Sequence, residues 1–305
     1  TGLVIKNDRG IVDRFRGRVI FPIRSMAGRI QGFGGRILSS NLKTAKYLNS
    51  PESDIYHKSQ VLYGIYEAKK AIVREDVCFL VEGYTDVIQM YQKGIENIVS
   101  SSGTALSSEQ IRLIRRLTSN VVVLFDGDAA GLRAAIRGID LILEQGMNVR
   151  ICSFPEGEDP DSFAKSHSLD EIKTYILEKA KDFIQFKTDL LLKEAANDPV
   201  KKAITIREIV QSISKIPDAI KQEIYIRECS SQIEVSEVIL FNTLAQEKNK
   251  KSVPIRKINP NMDKQVLSNQ KSDIKSKPIN PIILLEKQII SILLQYGNDE
   301  ASFDE

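Results

Sequence analysis

The stretch VVVLFDGDAAG, residues 121–131, ends an apolar run on two carboxylates one residue apart, Asp126 and Asp128. Like charges that close repel, and they are tolerated where water separates them or a cation lies between them. The same device occurs earlier, in VCFLVEGYTDV, where apolar residues 77–81 stop at Glu82 and Gly83. A third acidic loop, PEGEDPDSF, places Asp159 and Asp161 on either side of Pro160. No basic residue is dedicated to these carboxylates, so the set calls for a cation. Their oxygens are hard ligands that suit Mg²⁺ or Mn²⁺. An oxygen-rich site that keeps positions open for water and phosphate fits metal-assisted phosphoryl chemistry. The plainer reading is that Asp-Gly makes turns and that aspartate caps helices. That reading serves any one of the three motifs well and all three together poorly, and Glu82 is a poor cap type.

The elements that must hold these residues follow from periodicity. Residues 121–125 are five apolar residues in a row, three of them β-branched, as in a strand buried on both faces. Leu132, Ile136, Ile139 and Leu143 then recur at helical spacing. Residues 77–81 read as a strand and YTDVIQMYQKG as a helix; NIVSSSG follows, and then a helix, SSEQIRLIRRL, with Ser107 and Gln110 placed as a capping box. NVRICSF closes the series. Strands alternating with helices argue for a parallel sheet covered on both faces. In such a sheet every strand ends on one edge, where α/β folds bind ligands. Glu82, Asp126/Asp128 and Asp159/Asp161 therefore belong on one rim.

Upstream of that sheet the chain is basic. Residues 1–60 hold eleven Lys/Arg against four Asp/Glu, although the 305-residue chain as a whole has a net charge of only +3. A basic lobe beside an acidic rim points to a polyanion partner. Alternation in RVIFPIR and GRIQGFGGRIL predicts short strands joined near 27–28. GFGGR lacks the Lys-Ser/Thr ending of a phosphate loop, and Gly34 and Gly35 read as backbone left lean for a close approach. His57 reads as packed rather than catalytic, with no second histidine to complete a metal pair. Cys78, Cys152 and Cys229 are too scattered for a disulfide framework or a zinc site, which fits a reducing, cytoplasmic compartment. No apolar run approaches the roughly 18 residues of a membrane span.

Downstream, residues 170–246 read as helices broken near 197–199 and at Pro217. Residues 247–280 carry nine Lys/Arg, three acids and three prolines, the composition of a linker. Residues 281–297 read as a strongly apolar helix with nothing local to bury against.

EGYTDV, DGDAAG and EDPD, in that order on alternating βα units, resemble the toprim fold shared by primases, type IA and type II topoisomerases and some nucleases. RFRGRVIFPIR, GFGGRIL, KYLNSPES and HKSQVLYGIYEAKKAI narrow the resemblance to the catalytic core of the bacterial DnaG-type primases, over residues 1 to about 240. It implies a mixed α+β and α/β architecture. A basic α+β subdomain (1–76), lacking its first part, precedes a toprim parallel-sheet α/β subdomain (77–169) and a helical subdomain (170–246). A linker (247–280) and the start of a helicase-binding domain (281–305) follow. It implies that Glu82, Asp126, Asp128, Asp159 and Asp161 bind the divalent metals of nucleotidyl transfer, with Glu82, Asp126 and Asp128 central. It also implies that Arg36, Lys46, Tyr47, Asn49 and Lys58 handle nucleotides and template. Lysine can neutralise triphosphate charge, arginine can grip phosphate with two parallel bonds, and Asn49 can donate to a sugar or phosphate oxygen. The implied partners are single-stranded DNA, ribonucleoside triphosphates and the replicative helicase. Zinc is implied only for an N-terminal module that this sequence lacks, and no membrane is involved.

Three rivals remain. A topoisomerase or nuclease of the same fold would need a tyrosine-bearing DNA-gate domain in the first case, for which the chain has no room. A non-catalytic DNA-binding module would not keep all five carboxylates. An aspartyl-phosphate phosphotransferase would use the first Asp of an Asp-x-Asp turn and would need neither Glu82 nor the basic lobe.

Overall fold

The computed structural model describes residues 2–7, 10–38, 45–103, 105–126, 138–195 and 198–252. Two antiparallel units open the chain. β1 (Val4–Asn7) and β2 (Gly10–Asp13) form a hairpin, and β3 (Arg18–Arg24), β4 (Ile30–Ile37) and β5 (Tyr47–Asn49) form a sheet in that order. β3 coincides with the expected RVIFPIR strand. The turn into β4 passes Gly28 at φ 87°, a left-handed conformation that costs glycine little.

β4 is the glycine-rich strand, and its bare backbone is used for packing. A Cβ built on Gly34 would lie 2.5 Å from the Tyr84 ring, and one on Gly32 would lie 2.5 Å from the Tyr56 ring. Both rings are buried in a small core with Phe21, Ile23 and Val61. The close approach expected at Gly34 and Gly35 is therefore made by aromatic side chains, Phe15 being the one against Gly35.

Helix α1 (Ile65–Glu75) leads into the second sheet. Its strands are β6 (Cys78–Val81), β7 (Ile98–Ser100), β8 (Asn120–Phe125), β9 (Asn148–Ser153) and the two-residue β10 (Lys181–Asp182). The order is β10-β9-β8-β6-β7, with β10 antiparallel to β9 and all other pairs parallel. The connecting helices are α2 (Tyr84–Gln92), α3 (Ser108–Arg115), α4 (138–144), α5 (Pro160–Ser166) and α6 (Leu169–Lys179). At the start of α3 the expected capping box forms, with the Gln110 N–H donating to Ser107 Oγ at 3.1 Å and the Ser107 N–H donating to Gln110 Oε1 at 3.1 Å.

Period-two alternation divides the sheet between two cores. Val121, Val123 and Phe125 face α1, α3 and α4, whereas Val122 and Leu124 face α2, α5 and α6. This explains why residues 121–125 are apolar throughout. Cys78, Cys152 and Cys229 are all buried free thiols, and burial raises the pKa of Cys152 to about 12 and that of Cys229 to about 11.

The topology also fixes where a ligand can enter. β6 sends its chain to β7 on one side, and β8 sends its chain to β9 on the other. Adjacent parallel strands whose connections part in this way open a crevice at their carboxyl edge.

The remaining helices, α7 (Phe183–Ala195), α8 (Pro199–Ile213), α9 (Ala219–Ile233) and α10 (Glu237–Ser252), extend the first core. Asp198 and Asp218 cap α8 and α9 at the breaks expected from the prolines. Three details depart from the sequence reading. β10 interrupts the expected all-helical stretch, Glu234 in the left-handed region adds a further break, and α10 runs through Ser252, into the stretch read as linker. Leu132, Ile136 and the apolar pattern at 281–297 lie outside the described residues.

The Gly34–Tyr84 packing can be tested. Gly34→Ala forces the ring or the strand to shift, and an overpacked core position costs about 1–3 kcal/mol. Denaturant unfolding should show that loss, and a Tyr84→Ala background should remove most of it. An equal loss in both backgrounds would mean that the ring is not the obstacle.

Candidate active site

Glu82 is the first residue beyond β6 and is exposed. Its carbonyl accepts the Gly103 N–H at 3.2 Å, which ties the rim to the loop after β7. Glu82 also borders a cavity of about 280 Å³, together with Ser101, Gly103 and Phe125. Asp126 is the first residue beyond β8, half-buried, on the strand hydrogen-bonded to β6. The two carboxylates thus leave the sheet side by side at the switch point. Asp128 lies outside the described residues.

The third acidic loop begins α5, and here the expectation of unpaired carboxylates needs correction. Asp159 is the helix N-cap, its Oδ1 accepting the Ser162 N–H at 2.7 Å. Asp161 has a dedicated basic partner after all, Lys165 one helical turn on, with Nζ 2.7 Å from Oδ2. Capping and helix pairing are local interactions that need no ligand, and both residues perform them.

A carboxylate overlooked in the sequence lies among these. Asp86, in the first turn of α2, is only 8% exposed, and its Oδ2 accepts the Gly83 N–H at 2.9 Å. Burial raises its pKa to about 6; the Gly83 hydrogen bond opposes this, and the charges of Asp126, Asp159 and Asp161 push it further up. Those three carboxylates, from two different loops, are therefore close enough to Asp86 for their fields to matter. Only the EGYTDV spacing could have pointed to Asp86, and three residues after a helix start an aspartate reads as a capping residue.

The basic sheet meets this rim through one aromatic cluster. Tyr84, the first residue of α2, stacks on Phe21 with ring centroids 5.0 Å apart and meets Tyr63 edge-on at 4.8 Å. Its hydroxyl donates to Asn49 Oδ1 at 2.7 Å, and Asn49 Nδ2 donates to the Ser102 carbonyl at 3.2 Å. Both ends of the Asn49 amide thus hold β5 to the acidic rim. Tyr47, also on β5, lies 3.4 Å from the Thr85 hydroxyl. The Arg36 guanidinium is 5.7 Å and Lys46 Nζ 6.0 Å from the centre of the Tyr47 ring, so these three form one patch. Lys58 stands apart, its N–H bound to Glu52 Oε1 at 3.0 Å and its carbonyl accepting Gln110 Nε2 at 3.1 Å. His57 is exposed, with Nδ1 3.0 Å from Glu52 Oε2, so the packed histidine expected from the sequence is instead a surface hydrogen-bond partner of Glu52.

The donor set is oxygen-only and suits a hard divalent cation. A cation near Asp86 would favour its charged form against the burial, and the smaller repulsion, that raise its pKa. Among the described residues, no three carboxyl, thiol or imidazole side chains close on a single point.

Family models match three parts of the chain. "DNA primase catalytic core, N-terminal domain" covers residues 1–69, "Toprim-like" covers 79–164, and "DnaB-helicase binding domain of primase" covers 184–237. The last falls on α7 to α9, upstream of 281–305. A DNA primase from Halalkalibacterium halodurans is 37% identical over 239 residues, 77% of this chain and 40% of that protein. The chain therefore spans about two fifths of the length of such relatives. A solved primase domain from Pseudomonas aeruginosa superposes with a TM-score of 0.72 at 37% identity, covering 80% of this chain and 77% of that one. A DnaG primase catalytic domain solved bound to single-stranded DNA superposes with a TM-score of 0.67 at 36% identity, covering 75% of each chain. Since primase-core and toprim models account for its basic sheet and its acid-rimmed sheet, and solved primase domains share its fold at this identity, the chain belongs to the DnaG-type DNA primases and corresponds to their catalytic core.

Proposed function

We propose that the chain builds short RNA primers on a single-stranded DNA template, joining ribonucleoside triphosphates by two-cation nucleotidyl transfer. The observation that carries this reading is the switch point itself. Glu82 and Asp126 leave adjacent parallel strands there, beside the buried Asp86 and against a sheet bearing Arg36 and Lys46.

Glu82, Asp126 and Asp128 would hold the divalent cations, with Asp159 and Asp161 as outer ligands. Bound Mg²⁺ or Mn²⁺ supplies the acidity that activates a ribose 3′-hydroxyl and the charge that stabilises departing pyrophosphate. Asp161 must release Lys165 to contribute, whereas Asp159 keeps one carboxylate oxygen clear of its cap. Arg36 and Lys46 neutralise triphosphate charge from the Tyr47 patch, and Lys58 meets template phosphate further along. Asn49 serves chiefly by holding β5 against the rim. The family match over 184–237 supports a replicative helicase as partner and makes α7 to α9 the first place to test that contact. A cytoplasmic site of action follows from this role.

Ribonucleotide incorporation on single-stranded template should require Mg²⁺ or Mn²⁺ and stop with chelator. Asp126→Ala should abolish incorporation while leaving the melting temperature unchanged or slightly higher, because it relieves repulsion. Near-normal incorporation by that variant would remove Asp126 from the mechanism.

Asp86 gives a pH signature. Its folded pKa, about 6, lies above the ordinary 3.8. Its contribution to stability is therefore complete below about 4 and is lost as pH rises through about 6. In cation-free protein, Asp86→Asn should raise the melting temperature progressively more between pH 5 and pH 7, by about 2 °C or more at the upper end. Added Mg²⁺ should narrow the difference. A difference that does not change with pH would show that Asp86 is not under electrostatic stress.

A further inference from the structure

Helix α3 carries arginine on one side only. Arg112, Arg115 and Arg116 fall at the spacing that puts side chains on one helical face, and all three are exposed. Ile111 and Ile114, on the side turned to the core, are fully buried. Arg24, Arg74 and Arg227 each sit beside a carboxylate. Among the described residues, none of the α3 arginines has such a pair, and exposed Glu109 in the first turn pairs with none of them. The helix dipole favours basic residues in a last turn, but it does not account for what surrounds them.

Arg112, Arg115 and Arg116 line a shallow depression of about 420 Å³ with Gln145. Arg116 also borders a second depression, of about 200 Å³, whose walls include Arg24, Gln31, Gln60 and Leu113. Neither lining contains a carboxylate. The shared Arg116 makes one continuous path from the β3–β4 turn, across α3, to the end of α4. Guanidinium forks match phosphate oxygens, glutamine amides donate to sugar and phosphate oxygens, and Leu113 offers an apolar contact.

Topology places this path away from the acidic rim. α3 begins at the carboxyl edge of the sheet, after β7, and returns to the opposite edge to start β8. Its eight residues cover about 12 Å. Arg115 and Arg116 stand at the far end of that helix, so a strand that passes the rim and continues along α3 would meet them.

We propose that the α3 arginine face, with Arg116 and Arg24 at its junction, binds the sugar–phosphate backbone of a single-stranded nucleic acid outside the acidic rim. The assignment concerns binding, so it can fail while the nucleotidyl-transfer reading stands.

The test measures binding of labelled oligo-dT of about 4 and about 16 nucleotides to the whole chain across a salt series. Arg112→Gln/Arg115→Gln/Arg116→Gln should weaken the long strand at least about tenfold at low salt. The log–log salt slope should become shallower by about 2, since single strands lose about 0.7 per phosphate contact. Binding of the short oligonucleotide should be unchanged, and the triple lysine variant should keep most of the slope. If the triple variant melts early, Arg115→Gln alone should reduce the slope by about 0.7. An unchanged slope on the long strand would overturn the proposal, as would equal losses for both lengths. So would competition by poly-glutamate as effective as that by unlabelled strand, which would assign the face to an acidic protein.

Discussion

Cys78, Phe79 and Leu80 of β6 stand in parallel register with Val121, Val122 and Val123 of β8. Two parallel neighbours must leave a sheet at the same edge, and here their connections diverge. The first acidic residues beyond them, Glu82 and Asp126, are thereby brought to one place, beside Gly83 and the Gly103 N–H that binds the Glu82 carbonyl. Apolar burial on both faces of the sheet maintains this arrangement against the repulsion it creates. Val121, Val123 and Phe125 pack on one face of the sheet and Val122 and Leu124 on the other, all five buried. Electrostatic discomfort at the rim is thus sustained by hydrophobic packing beneath it.

The second constraint is the fit between a tyrosine ring and a glycine backbone. Tyr84 follows Glu82 by two residues and starts the helix that carries Asp86, so anything gripping its ring also fixes the rim. β4 provides that grip at Gly34, and β5 adds Asn49. The patch of Arg36, Lys46 and Tyr47 is carried on β4 and at the start of β5. Its position relative to the carboxylates is consequently set by the close packing of Tyr84 on Gly34 and by the two hydrogen bonds of Asn49.

Much of this was legible in the sequence because the signals are local. The β3 strand, the central strand at 121–125, and Ser107 with Gln110 all rest on patterns a few residues long, and the structure reproduces them. Other features depend on contacts between distant segments. Asn49 finds Tyr84 and Ser102 across 35 and 53 residues, and composition does not encode that meeting. His57 beside Glu52 is a surface pair that a search for core residues misreads. Asp86 resembles an ordinary capping residue until the neighbouring loops are placed around it. β10, with only two residues, is too short to leave a periodic signal.

That short strand has a consequence for how the chain is made. Lys181 and Asp182 occupy the otherwise open side of β9, and the Arg150 guanidinium reaches the Ala180 carbonyl beside them. Strand edges recruit other strands, and brief terminal strands are one way proteins blunt them. β7, at the far side, is also brief and is met by a single bridge from Tyr63 to Ser100. During synthesis, however, β6 to β9 emerge well before residue 181. A nascent chain at that stage presents the apolar centre of the sheet with one flank unsealed. Between completion of β9 and arrival of β10 that edge is open to pairing with another strand.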